Sequence, residues 1–170
     1  MNNLRKLILL LLIILTMLFF FPIKILQVYI FDKGDRFNEV IYQVPVHVND
    51  DVSVLWTHSV SRRPIVETYT VNDQLKFDIK EMRFDTYSAN LPSKPECGTK
   101  WEFHDDYIRV YNYDVEFEEI PIVIGKIVAN HILQYNDKEV VLKDIYKPGG
   151  YVKVRVIKES LISYLKEGVF

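Results

Sequence analysis

The stretch WTHSVSRRPIVETY, Trp56 to Tyr69, gathers one histidine, two serines, two arginines and a glutamate. A histidine beside a serine is the pair a hydrolase uses, with the imidazole taking the hydroxyl proton as the oxygen attacks. A histidine with a carboxylate can instead orient a small ligand or serve acid–base chemistry. Two arginines on a turn can grip a carboxylate in a bidentate fork. Which of these the protein can use depends on how the backbone presents the side chains.

Successive residues of a strand face opposite sides. Along Val52 to Val60, one face carries Val52, Val54, Trp56, His58 and Val60, and the other carries Ser53, Leu55, Thr57 and Ser59. His58 and Ser59 therefore point apart, which argues against a Ser–His dyad. On the next strand, Ile65, Glu67, Tyr69 and Val71 share a face. A four-residue loop, Ser61 to Pro64, would set Val60 against Ile65, His58 against Glu67, Trp56 against Tyr69 and Val54 against Val71. A two-residue turn at Arg62-Arg63 gives the same register but needs positive φ at both arginines. The spacing predicts a hairpin with a half-buried His58–Glu67 cross-strand pair. A buried imidazole needs a partner, so this pair has a structural reading. It also has a functional one, a polar spot for a small carboxylate ligand flanked by Arg62 or Arg63, and metal or acid–base use stays open.

Other constellations are thinner. His104, Asp105 and Asp106, with His131 further on, offer no third or fourth metal ligand at a defined spacing, and read as a solvated turn. No glycine-rich phosphate loop, C-x-x-C, H-E-x-x-H or G-x-S-x-G motif occurs. The expectation is a non-enzymatic protein with no catalytic residue, metal or cofactor, a hydrolytic enzyme being the remote alternative. Cys97 is the single cysteine, so an internal disulfide is excluded, and it reads as a loop or packing residue.

The elements that position these residues follow from alternation and turn signals. Ile25 to Phe31, Glu39 to Val48, Val52 to Val60, Ile65 to Val71 and Leu75 to Phe84 read as strands. Pro45 marks an edge or bulge. Leu75, Phe77 and Ile79 alternate, and Met82 and Phe84 continue out of phase, which predicts a bulge near Lys80-Glu81. Ala89 to Gly98 is a loop by its Pro, Gly and Asn content. Further strands are expected at Trp101 to Phe103, Tyr107 to Tyr113, Ile120 to Ile127, Ile132 to Tyr135, Glu139 to Leu142 and Tyr151 to Lys158. Leu161, Ile162 and Leu165 have helical spacing, stopped by Gly168. The fold class is all-β: an antiparallel β-sandwich or partly open barrel of about nine or ten strands, with an N-terminal transmembrane helix and a short C-terminal helix.

The chain of 170 residues is 49% hydrophobic and 26% charged, an ordinary globular balance. A net charge of −2 gives no electrostatic case for nucleic acid as a partner. The start is different: Arg5 and Lys6 precede an apolar run from Leu7 to Ile23. As a helix it is about 25 Å long, within the range that spans a bilayer. Bulky Phe19, Phe20 and Phe21 stand where a cleaved signal needs small residues, which favours an uncleaved anchor. Basic residues stay inside. The expectation is a single-pass cell-membrane protein, with residues 1–24 as cytoplasmic start and anchor and residues 25–170 as an extracytoplasmic β-domain.

The run WTHSVSRRPIVETYTV, followed by RFDTYSANLP, resembles the domain of unknown function 1850 family. That family carries a His-Ser-Val motif, a Pro-Val-x-Glu and a Tyr-Gly-Ala-Gly-Leu-Pro-like loop. The matching residues are His58, Ser59, Val60, Pro64 and Glu67, then Tyr87 to Pro92, with Ser88 and Asn90 where the family has glycine. The resemblance adds Tyr87 to the candidate ligand residues His58, Glu67, Arg62 and Arg63. It implies a small, often membrane-anchored exported domain, an accessory or interaction module whose partner is a TAXI/TRAP-type solute transporter. It assigns no catalytic residue.

Overall fold

The computed structural model describes residues 3–89, 91–96 and 98–167, so Asn90, Cys97 and Gly168 lie outside the described residues. Helix α1, Asn3–Phe20, is apolar along its length and buries none of its residues in the protein. Eighteen residues make a helix of about 27 Å, long and apolar enough to cross a membrane once. The helix stops at Phe20, and strand β1, Pro22–Ile30, begins three residues before the expected Ile25. Pro22 cannot supply the N–H that would continue the helix. Only Phe21 separates the two elements.

The strands that follow are β2 (Val40–Pro45), β3 (Asp51–Thr57), β4 (Pro64–Val71), β5 (Phe77–Phe84), β6 (Lys100–Phe103) and β7 (Ile108–Tyr111). Then come β8 (Glu116–Phe117), β9 (Ile120–Val123), β10 (Ile132–Tyr135) and β11 (Lys138–Val141). A single helical turn α2 (Leu142–Ile145), strand β12 (Tyr151–Ser160) and helix α3 (Leu161–Glu167) close the chain. The described residues thus hold more strands than expected, because short pieces such as β8 carry too few residues to alternate visibly.

Two antiparallel sheets form a sandwich. Sheet A runs β2-β1-β12-β9, and sheet B runs β11-β10-β3-β4-β5-β7-β6, with β8 paired to β5. Pro45 sits on β2, an edge strand, where its missing N–H breaks no ladder. The predicted bulge is present: Thr68 pairs with Glu81 and Tyr69 with Ile79, leaving Lys80 extra. The main core draws Leu26, Val28, Val152 and Val154 from sheet A and Val52, Val54, Tyr69 and Phe77 from sheet B. Sheet A does not cover the whole of sheet B. At the β5-β7 end, Ile65, Phe84, Ile108 and Val110 form a second cluster capped by Leu91 of the loop after β5. Trp56 packs against both clusters, so it stands at the seam where one cover ends and the other begins.

Candidate functional site

The β3–β4 hairpin has a loop of four residues, as expected, but two positions earlier. His58 N–H donates to Arg63 O and Arg62 N–H to His58 O, both at 2.9 Å, enclosing Ser59 to Arg62. Trp56 therefore faces Ile65, Val54 faces Glu67 and Val52 faces Tyr69. The predicted cross-strand pair of His58 with Glu67 does not form. The observed register places Pro64 at the first residue of β4, a position that tolerates proline, and leaves Arg62 in the left-handed region at φ 56°. Because each strand slides by two residues, every side chain keeps its face. His58 and Glu67 still belong to the inner surface, on either side of Trp56 in strand register.

His58 is 4% exposed. Its Nε2 lies 2.9 Å from Ala89 O, and its Nδ1 accepts the backbone N–H groups of Ser61 (3.2 Å) and Val60 (3.3 Å). With Nδ1 accepting, Nε2 carries the proton and donates to Ala89 O. Ser88 Oγ also reaches Nδ1, at 3.3 Å. The imidazole thus clips the HSV turn to the YSANLP loop, 31 positions away in sequence. Neither ring nitrogen is left without a protein partner.

The other expected residues are dispersed. Arg63 donates to Asp85, which holds the carboxyl of Asp85 below its ordinary value. Arg62 is exposed on the turn and forms no ion pair among the described residues. Tyr87 is 53% exposed and stacks on Trp101 at 6.4 Å. Ser88 does not adopt positive φ, so this loop folds without a glycine there. His104 stacks on Tyr107 at 4.4 Å beside Glu102, and no metal-binding group of His, Cys, Asp or Glu occurs among the described residues.

Glu67 holds a different position. It is half-buried on the inner face of β4, and desolvation pushes its carboxyl up, although the Tyr69 hydroxyl, donating to Oε2 at 2.9 Å, and the Trp56 indole favour its charged form. Beside it lies a cavity of about 190 Å³ lined by Val54, Trp56 and Glu67 from sheet B, the strand β9 from sheet A, and His131. His131 stacks on Trp56 at 6.0 Å and 18°. Its Nδ1 accepts Gly125 N–H at 3.2 Å, which leaves Nε2 as the donor, and burial pushes its pKa down. The loop that presents it is tight: a Cβ on Gly125 would stand 1.8 Å from Ala129 O.

A second hollow of about 310 Å³ lies under the loop after β5, between Leu91, Lys94, Val110 and Tyr113. The Tyr113 hydroxyl is buried with no hydrogen-bond partner among the described residues. Burial and the charge of Glu67 push it up to about 12. Trp101 Nε1, against the same cluster, is likewise unpartnered. The seam thus sets a desolvated carboxyl and a buried imidazole at one hollow, and the unpartnered Tyr113 hydroxyl at the other. Alternation places Glu67 on this face. Ser88, Tyr113 and His131 enter only through contacts between distant segments, for which the sequence carries no local signal.

Searches of curated proteins and of solved structures return no match. The model of a family described as domain of unknown function (DUF1850) matches residues 52–142. The match takes in β3 through Leu142, including every residue of the Glu67 cavity, while α1, β1, β2, β12 and α3 lie outside it. Matched over more than half its length, the chain belongs to the domain of unknown function (DUF1850) family.

Proposed function

We propose that the protein is a membrane-tethered, extracytoplasmic, non-enzymatic accessory domain that binds a small donor-bearing solute at the seam between its sheets. The carrying observation is Glu67, a desolvated carboxyl at the wall of an open cavity. A buried carboxylate is costly without a compensating donor or cation. Tyr69 and the Trp56 indole supply donors, and a ligand ammonium or hydroxyl would supply a further one. The cavity lining contains no lysine or arginine, and its histidine is held neutral by burial, so a small carboxylate fits it less well than a primary ammonium. The volume is below the ordinary range of about 300–1,000 Å³ for ligand pockets, so the solute is of a few heavy atoms.

The non-catalytic part of the reading is supported by His58. Its Nδ1 is shared among two backbone amides and a long contact to Ser88, and its Nε2 faces a carbonyl rather than an orienting carboxylate. Association with a solute transporter of the TRAP type belongs to the same proposal, with the anchor setting the domain at the membrane surface and Arg5 and Lys6 keeping the N-terminus cytoplasmic. Thermal shift of the full chain in detergent, with ethanolamine, glycerol and succinate as probes, tests the ligand class. Ethanolamine at ten times its Kd should stabilise by about 1.4 kcal/mol, and Glu67→Gln should remove the effect. A larger shift with succinate that survives Glu67→Gln would contradict the assignment. Crosslinking in native membranes tests the accessory role, and recovery of the protein alone would count against it.

A further inference from the structure

The end of sheet A next to α1 carries a charge arrangement that the seam does not use. Lys24 of β1 and Lys158 of β12 are direct cross-strand partners. Such partners share a face with Cβ atoms about 4.5–5.5 Å apart, and like charges placed this way repel. Neither lysine has an ion-pair partner among the described residues. The neighbouring carboxylates do not answer them. Glu159 pairs with Ile23 and so faces the other side of the sheet, and Asp50 is engaged by Tyr135 Oη–H and His47 N–H. Both lysines line a hollow of about 450 Å³ whose wall continues through Val46, Pro22 and Phe21.

Two unpaired cations above an apolar wall fit an anion that carries an apolar tail. The position selects the kind. Lys24 follows the last residue of α1 by four positions, about 13 Å of extended chain, and a lysine stem can fold back toward the bilayer surface. Phe20 and Phe21, exposed at 66% and 64%, mark the level at which the apolar helix ends. We infer that Lys24 and Lys158 together seat the phosphate of an anionic lipid, whose acyl chain lies along Phe21 and α1. The seat fixes the tilt of the sandwich over the membrane. The inference rests on the membrane reading of α1 and is independent of the ligand at Glu67. Both lysines lie outside the stretch matched by the family, so the seat belongs to this chain's own flanks.

The test reconstitutes the full chain in nanodiscs of phosphatidylglycerol and phosphatidylcholine in equal amounts and identifies retained lipid by native mass spectrometry. Incorporation reads the anchor, and lipid choice reads the lysines. The wild type should retain phosphatidylglycerol in preference. Lys24→Gln/Lys158→Gln should reduce that preference by about fivefold per lysine, Lys24→Arg/Lys158→Arg should keep it, and Lys138→Gln/Lys143→Gln, which removes the same charge elsewhere, should leave it unchanged. Equal retention of both lipids by the wild type, or an undiminished preference in the double glutamine variant, overturns the inference. Displacement of the lipid by millimolar inorganic phosphate would mark a free-anion site and overturn the lipid assignment. A chain that does not enter the nanodisc overturns the membrane reading and this inference together.

Discussion

Removing the His58 imidazole separates a clip from a ligand site. In His58→Ala, Ala89 O loses its donor, and the N–H groups of Ser61 and Val60 lose their acceptor. Each hydrogen bond contributes about 1 kcal/mol net, and the two amide contacts share one nitrogen, so the bonds together amount to about 2 kcal/mol. The ring is also buried against Trp56, with centroids 5.8 Å apart, and truncation of a buried side chain adds a cavity cost of at least about 1 kcal/mol. The sum is about 3 kcal/mol, or about 6–12 °C in Tm for a domain of this size. Thermal unfolding in detergent measures the shift, and hydrogen exchange should show the amides of Val60 and Ser61 losing protection. Ser88→Ala, which removes only a 3.3 Å contact, should cost less than about 0.5 kcal/mol. A His58→Ala protein that melts within about 1 °C of wild type, with both amides still protected, would refute the clip.

Glu67 should make the protein less stable as pH rises. A carboxyl whose folded pKa is raised contributes fully below its ordinary value of about 4.3, and the contribution is lost as pH climbs through the raised folded value; Glu67→Gln should flatten that slope in Tm measured against pH. His131 acts in the opposite sense. Its folded pKa is lowered, so its contribution is present above about 6.5 and is lost on acidification below that. His131→Phe, which keeps the stack on Trp56, should diminish this acid sensitivity in the same measurement. Gly125→Ala should destabilise by about 3 kcal/mol or more, because the added Cβ meets backbone at Ala129 and not a side chain that can turn away; chemical unfolding would read the loss.

Much of the sandwich was legible from periodicity. Val152, Val154 and Val156 alternate with Lys153 and Arg155, and the valines are the ones buried. The phase slip between Ile79 and Met82 marked the bulge at Lys80, and Pro45 marked an edge strand. The hairpin register was not legible, for a physical reason. Sliding both strands by two residues leaves the same side chains inward, so the alternation of Val52, Val54 and Trp56 against Ile65, Glu67 and Tyr69 accepts either register. What decides is the loop: Arg62 adopts positive φ, and His58 is held by a carbonyl on another loop. A local pattern contains neither fact. The candidate site was half-legible in the same way. Glu67 could be assigned to the inner face from its own strand. His131 and Tyr113 reach the seam only because β9, β10 and the segment after β7 fold over it. The N-terminal helix was visible as an apolar run, but its end was not, because Ile23 serves an apolar helix and a half-buried strand equally well.

The most direct test of a desolvated carboxyl awaiting a donor is a pH titration of the Glu67 side chain, followed through its carboxyl carbon by NMR, with and without ethanolamine. Glu67 should titrate above the ordinary glutamate range when the cavity is empty, and its midpoint should fall when the ammonium binds. A Glu67 that titrates at the ordinary value, or whose raised midpoint does not respond to saturating ethanolamine, would contradict the account.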